Sequence, residues 1–455
     1  MIRSGLQEAD MTDEEFTVSI KGPGVNVEQA VSRELANRAV MLVLSGDGAP
    51  PRPPSEAPLR QDILLPEGAD PPPSIGELKS KPLQQSVIQL NALGLHPDII
   101  VARAEKTIDK KRREKIALAS GLAEEDIVAN PDVESIYEVP LILNDQTLGD
   151  KVSAKLGLKP RRHDLRDWKN LVQKIKKTRQ LVKVGMVGKY QKTGDYTLSD
   201  SYVCVVEALK HAGWINGVKP ELVWIDSQGL ESMNNREVVE TFQGLDGVIV
   251  PQGWGSRGTE GKLRAIRYVR ENKIPYLGLC FGMQMGVIEF SRHVCGLQRA
   301  NSSEVNSRTP HPVVHIMPRQ QEYLKKKQYG GTIRLGQWPC LVHAGTVLEK
   351  AYQNSGSKTY DLGFKKNKQR KDRLIVQERH RHRYEVNNRY RRRLESKGMV
   401  FSGTSPDGKL VEAMELPPEL HPFFVGTQFH PEYQSWPLKP HPIFLEFVKA
   451  AMEQL

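Results

Sequence analysis

Apolar and polar positions follow two different regimes along the chain, and the change falls near residue 75. Before it, residues 46–73 (GDGAPPRPPSEAPLRQDILLPEGADPPP) are proline-rich and aperiodic, which predicts an extended linker. Ahead of that linker, VEQAVSRELANRAVMLVLS (27–45) carries helical spacing and predicts a short helix. From 75 onward apolar runs alternate with amphipathic stretches. KPLQQSVIQLNALGL (81–95) and KRREKIALASGL (111–122) predict helices, PDIIVAR (97–103) and VESIYEVPLIL (133–143) strands, and the basic stretch 163–180 a linking helix. A new unit opens at 181 with the β-run LVKVGMVGKY. It continues as helix 199–213, strand 221–226, strand 244–253, helix 261–272, strand 274–280 and helix 282–290. Strands spaced by helices in this order predict a mostly parallel sheet with helices on both faces. No internal repeat interrupts the pattern. The expected division is a divergent N-terminal segment over 1–74, an α/β piece over 75–160, a linker helix over 161–180 and a large α/β domain over 181–455.

Composition narrows the setting. No apolar run approaches the roughly 18 residues needed to cross a bilayer. The polar, acidic N-terminus MIRSGLQEADMTDEEF does not read as a secretory signal. Four cysteines (Cys204, Cys280, Cys295, Cys340) without a CxxC pair argue against a disulfide framework and a zinc site, so a cytoplasmic setting and no structural metal are expected. The net charge of +11 is concentrated in KKNKQRKDR (365–373) and RHRHRYEVNNRYRRR (379–393). Runs of this kind are usually solvated faces, and the first lacks the interleaved aromatics of a single-strand binding platform. No nucleic-acid and no membrane partner is expected; small molecules bearing phosphate are.

The chemistry sits on one tight corner. IPYLGLCFGMQMGVIEF (274–290) carries a strand through Gly278 and Gly282 into a helix, with Cys280 between the glycines. A nucleophile at a strand-to-helix turn stands clear of the sheet, and the helix N-terminus behind it favours a thiolate. In VGTQFHPEYQSWP (425–437), His430 and Glu432 are two residues apart after an apolar run, so on a strand they would point the same way. His430 is then the base for Cys280 and the acid for the leaving amine, and Glu432 holds the imidazole tautomer. The glycine-rich loop VIVPQGWGSRG (248–258) offers an oxyanion hole from the N–H groups of Gly253 and Phe281. Cys204 is expected in a helix core, Cys295 and Cys340 as buried thiols, and His380 and His382 as satisfied structural or pocket-lining residues.

Taken with GTEGKLRAIRYVREN, ANSSE, GGTIRLG, ERHRHRYEVNN and FSGTSPDGKLVE, these blocks resemble the CTP synthase family across 181–455, a class I glutamine amidotransferase domain. The resemblance implies that Cys280, His430 and Glu432 hydrolyse L-glutamine. It also implies that Gly253, Phe281, Gly282, Met283, Gln284, Glu304 and Arg383 form the glutamine pocket, and that Arg334 lies in a segment associated with activation by GTP. Residues 75–143 resemble the end of the family's synthetase domain, a partial P-loop-type α/β fold. There Lys79, Ser80, Lys81, Pro82, Leu83, Gln84 and Lys115 match UTP or CTP positions. The chain departs from the family where PGGFG becomes PQGWG, placing Gln252 on a glycine position, and where Phe281 replaces leucine. Trp254 is expected to narrow the pocket, with activity weakened at most. Leu83 stands for a threonine and Gln85 for a histidine. In the complete family enzyme, ammonia aminates UTP to CTP at the expense of ATP with Mg²⁺. Residues 1–74 contain no GxxxxGK[ST] loop and read as poorly structured. Complete CTP synthesis by this polypeptide alone is therefore not the expectation. The alternative is a non-catalytic nucleotide-binding or assembly subunit associating with full-length CTP synthase, or as a homo-oligomer. A γ-glutamyl hydrolase relative is disfavoured by Glu304 and Arg383, which suit a free amino acid.

Overall fold

The computed structural model describes residues 15–22, 25–32, 42–46, 80–92, 94–159, 164–189, 192–193, 196–197, 202–317, 333–354 and 374–454. Internal contacts divide the chain into Met1–Val172 and Gln173–Leu455, with the division inside the expected linker helix, here Arg166–Lys177.

In the first unit, β1 (Glu15–Gly22) and β2 (Val25–Ser32) form an antiparallel pair. A three-stranded parallel sheet is ordered β3 (Leu42–Gly46), β4 (Ile99–Ala104), β5 (Ile127–Pro131). The helix expected over 27–45 is thus replaced by strands at both of its ends. Val25, Val27 and Val31 also satisfy a period of two, and β-branched residues favour the extended form. The opposite error occurs at 133–143: this strand-like run is a 3-10 turn, Ile136–Glu138, leading into the helix Val139–Asp145, which Pro140 opens. The sheet is apolar on both faces. Leu83, Val87, Ile116 and Ile127 pack on one side, and Val101 and Val128 with Leu143 and Val152 on the other.

The second unit is built on β6 (Leu181–Gly188), β9 (Lys219–Asp226), β10 (Gly247–Val250), β11 (Tyr276–Leu279), β14 (Arg334–Val342), β15 (Leu374–His382), β17 (Val400–Thr404), β18 (Val411–Leu416) and β19 (Phe424–Thr427). They form one nine-stranded sheet ordered β15-β14-β17-β18-β19-β11-β10-β6-β9. Strands β9, β6, β10, β11 and β19 run parallel, and β18, β17, β14 and β15 extend the sheet antiparallel. Two small sheets flank it: β7 (Lys192–Thr193) with β8 (Tyr196–Thr197), and β12 (Ala300–Ser302) with β13 (His311–Ile316) and β16 (Tyr384–Val386). Strands β10, β11 and β19 are buried at every position, because helices cover both faces. Phe242, Ile266, Met283 and Phe424 fill one side, and Leu209, Leu277, Phe444 and Phe447 the other. The carboxyl ends of β10, β11 and β19 therefore lie side by side, which brings 251–253, Cys280 and 428–432 to one rim.

Candidate active site

Cys280 occupies the junction between β11 and the helix Phe281–His293, with φ 52° and ψ −100°. A non-glycine residue there carries strain of about 1–3 kcal/mol, which the surroundings must enforce. They do so by close packing. The Cys280 N–H donates to Thr427 O at 2.6 Å, tying the corner to β19. A side chain on Gly282 would meet Val250 O at 1.9 Å, and one on Gly278 would meet Tyr276 Oη at 2.4 Å. Both glycines are thus required by the approach of the helix start to β10 and β11, which is the physical content of the GLCFG pattern.

The thiol is almost wholly buried; Gln428 Nε2 lies 3.6 Å from it and Arg381 O 4.0 Å from it. Gln428 is itself held by Gln284, whose amide donates to Gln428 Oε1 and to Tyr384 O. Gln284 is thus committed within the protein. Phe281, Gly282 and Met283 are buried in the first turn of the same helix.

His430 and Glu432 come together through a turn, not along a strand as expected. Strand β19 ends at Thr427, and His430 precedes the 3-10 turn Pro431–Gln434 that returns Glu432 to it. The His430 Nδ1–H donates to Glu432 Oε1 at 2.7 Å, and Tyr433 stacks on the ring at 5.1 Å. Nε2 is left buried with no well-aligned partner, free to face the thiol. Burial opposes charge on His430, but the Glu432 carboxylate and the Cys280 thiolate outweigh it and raise the imidazolium to about 10. The turn is anchored from behind by Glu378, which accepts from Gln434 Nε2 at 2.7 Å and Tyr352 Oη at 2.5 Å.

A cavity of about 210 Å³ opens on this rim, lined by Cys280, His430, Gly253, Gln252, Trp254, Tyr202, Arg381 and Tyr433. Trp254 is 40% exposed at its mouth. Gln252 Oε1 is buried there without a hydrogen-bond partner among the described residues. Glu304 does not line the cavity; it accepts from the Gly255 N–H at 2.8 Å and so braces the same loop. Burial raises the Glu304 carboxyl, against the pull of that N–H and of Lys189 and Arg383. Arg383, also outside the lining, is buried between β15 and β16.

Arg334 opens β14 as a buried residue. Its guanidinium reaches Glu412 Oε1 at 2.7 Å and Oε2 at 2.9 Å and lies 5.1 Å from the Trp338 ring. The neighbouring His380 and His382 are bonded to each other at 3.1 Å, and burial keeps both neutral, His382 down to about 3. Of the cysteines, Cys295 and Cys340 are buried as expected, but Cys204 is exposed: it lies on the solvent side of its helix, one residue past Val203. In the first unit, Lys79 lies outside the described residues. Ser80 precedes the helix Lys81–Ala92 and receives a bond from Gln84 Nε2, Lys81, Pro82 and Lys115 are exposed, and Leu83 is turned into the core with Val87.

Sequence reasoning missed Arg381, Tyr202 and Tyr433 at the cavity, Gln428 against the thiol, and Lys262 behind the loop. None carries a spacing signal. Gln428 and Tyr433 had a clue, since both flank the His430–Glu432 pair already singled out.

Both units are similar to known proteins. Residues 197–450 match the family model described as Glutamine amidotransferase class-I, and residues 71–158 match CTP synthase N-terminus. A CTP synthase of Caldanaerobacter subterraneus subsp. tengcongensis is 49% identical over 377 residues, 83% of this chain and 64% of that protein. A CTP synthase of Halalkalibacterium halodurans is 44% identical over 379 residues, 83% of this chain and 65% of that protein. The chain thus spans a little under two thirds of the length of these curated relatives. The structure of the glutaminase domain of Trypanosoma brucei CTPS with bound acivicin superposes with a TM-score of 0.51 at 36% identity, covering 60% of this chain and 94% of that one. The chain belongs to the class-I glutamine amidotransferase family, on its CTP synthase branch.

Proposed function

We propose that this chain hydrolyses L-glutamine at Cys280 and that the ammonia serves amination of UTP to CTP in the complete enzyme. The observation that carries the first part is the strained cysteine beside an imidazole whose far nitrogen is held by a carboxylate. The Cys280 thiolate adds to the side-chain amide carbon of glutamine, and the carbonyl electron pair moves onto oxygen. Backbone N–H groups of Gly253 and Phe281 receive that oxyanion. The intermediate collapses as the His430 imidazolium gives its proton to the departing nitrogen, releasing ammonia and leaving a γ-glutamyl thioester. His430, now neutral, takes a proton from water. The resulting hydroxide adds to the thioester, and the thiolate leaves as glutamate forms, restoring the ion pair. Glu432 keeps Nδ1 protonated throughout, so that Nε2 exchanges the proton.

Glu304 and Arg383 are assigned to the α-ammonium and α-carboxylate of glutamine on their charge, with the brace from Glu304 to Gly255 linking recognition to the oxyanion loop. Ser80, Lys81, Gln84 and Lys115 are assigned to the pyrimidine nucleotide. GTP is assigned as activator; since Arg334 is engaged by Glu412, an effector contact from it requires that pair to open. For the Mg²⁺ that accompanies ATP in the family, the cluster with metal-ligand spacing among the described residues is His380, His382 and Glu412. A two-imidazole donor set does not suit Mg²⁺, and Arg334 already holds the carboxylate, so these residues do not fit that ion.

The test is a glutamine-like electrophile, 6-diazo-5-oxo-L-norleucine, followed by peptide mass mapping. One adduct on Cys280, suppressed by excess glutamine, is expected. Labelling of exposed Cys204 with Cys280 untouched would contradict the assignment.

A further inference from the structure

Behind the oxyanion loop lies a lysine that the mechanism above does not use. Lys262 is in the first turns of the helix Thr259–Glu271, and its exposure is 0%. Burying an ammonium is expensive unless a partner compensates, and the expected partner is a carboxylate. Among the described residues it forms no ion pair. Its ammonium donates to Pro251 O at 3.3 Å and lies 5.4 Å from the centroid of the Phe281 ring. A methyl group placed on Gly253 would lie 3.6 Å from its Nζ. The cation is therefore packed against the first residue of the oxyanion loop, the glycine within it and the ring of the residue after the nucleophile.

The local sequence forces it there. Gly258 turns with φ +70° into the helix, and a side chain on Gly261 would meet Ser227 O at 1.7 Å, so the helix start is jammed against the loop after β9. The next residue is driven inward. Lys189, at the end of β6, faces the same ring at 5.3 Å. Burial, with Lys189 beside it, lowers the Lys262 ammonium to about 7, and the Cys280 thiolate opposes that shift.

We propose that Lys262 is a positioning residue of the glutaminase centre: its buried ammonium holds the Pro251–Gly253 loop and supplies a preformed positive field under the thiolate and the developing oxyanion. This rests on the glutaminase reading and deepens it. Below about pH 7, where Lys262 keeps its proton, a charge already in place in a water-excluded site needs no reorganisation as the oxygen becomes negative, which is why such groups act on the rate more than on substrate binding.

The experiment compares wild type with Lys262→Met, of similar length and uncharged, and Lys262→Arg, with thermal unfolding run alongside. Loss of one oxyanion-hole donor costs about 10²–10³ in kcat, and a cation one layer back is expected to cost about 10–100-fold. KM is expected to stay within about two-fold, because the ammonium does not touch glutamine. Alkylation of Cys280 by iodoacetamide at about pH 6, where Lys262 is mostly charged, is expected to slow about ten-fold in Lys262→Met, since a nearby cation favours the thiolate. Lys262→Arg is expected to recover part of both rates. A folded Lys262→Met with kcat and alkylation at wild-type levels overturns the proposal, as does a loss that Lys262→Arg shares in full. Should Lys262→Met not fold, Lys262→Gln replaces it: both it and Lys262→Arg donate to Pro251 O but only the arginine is charged, so equal rates in the two overturn the field. Absence of glutamate release from wild type would reject the glutaminase reading instead, and the alkylation rates would then decide Lys262 by themselves.

Discussion

In the proposed mechanism Cys280, His430 and Glu432 act as one unit, and their individual roles are separable by substitution. Glu432 works through the imidazole, holding Nδ1–H at 2.7 Å. Glu432→Gln is expected to keep the fold and lower kcat about 10²–10⁴-fold with a small change in KM, because an amide stabilises the wrong tautomer. Steady-state glutamate release measures it; a loss confined to KM would show that Glu432 binds substrate instead. His430 also sets a pH limit. Its folded value of about 10 lies above its ordinary 6.5, so its ion pair stabilises the fold fully below about 6.5 and that stability is lost as pH rises through about 10. All three residues were legible in the sequence, because a glycine-flanked cysteine and an HPE triplet are local patterns. Lys262 was not: in GKLRAIRYVREN it reads as one more charge on a solvated helix face, and only the packing of Gly261 on Ser227 turns it inward.

At the scale of elements, the corner depends on how closely a helix start can approach the strand beside it. Gly282→Ala places a methyl group about where Val250 O already lies, 1.9 Å away. Overpacking of this kind costs about 1–3 kcal/mol, and the backbone shift it forces would also move the Phe281 N–H, so the midpoint of chemical denaturation and the glutaminase rate are both expected to fall. The antiparallel half of the sheet is cross-linked from β14 to β18 by Arg334 and Glu412, both buried. Arg334→Met leaves an uncompensated carboxylate and is expected to destabilise by about 3–5 kcal/mol, while the double variant with Glu412→Met recovers most of that loss. A double variant no more stable than the single one would contradict this. The helix–strand alternation of 181–290 was readable from apolar runs buried on both faces. The misread stretches, 27–45 and 133–143, are short and satisfy two periods at once, so pairing with β4 in one case and a proline at a helix start in the other decided them. The antiparallel strands β14 to β18 are fixed by partners distant in sequence, which no local pattern reveals.

For the molecule as a whole, the buried titratable groups set opposing pH limits. Burial lowers His211 and His421 to about 4 and His382 to about 3, from an ordinary 6.5. The unfolded chain takes up protons at these sites that the folded one refuses, so stability is lost as pH falls below about 6.5. Glu385 has the opposite sign: burial, with Glu412 near it, raises it from 4.5 to about 8, and stability declines as pH rises across that interval. His421→Gln, whose amide can replace the bonds to Val269 O and from the Phe423 N–H, is expected to flatten the acid limb; Glu385→Gln is expected to raise the unfolding midpoint at pH 9 relative to wild type. Unfolding midpoints recorded between pH 4 and 9 check both signs. The central claim is that this chain makes ammonia from glutamine at Cys280. Glutamate and ammonia quantified together from purified protein and glutamine test it most directly: wild type should release the two in equal amounts, and Cys280→Ala should release neither above background. Equal release from both proteins, or none from a folded wild type, would contradict the account.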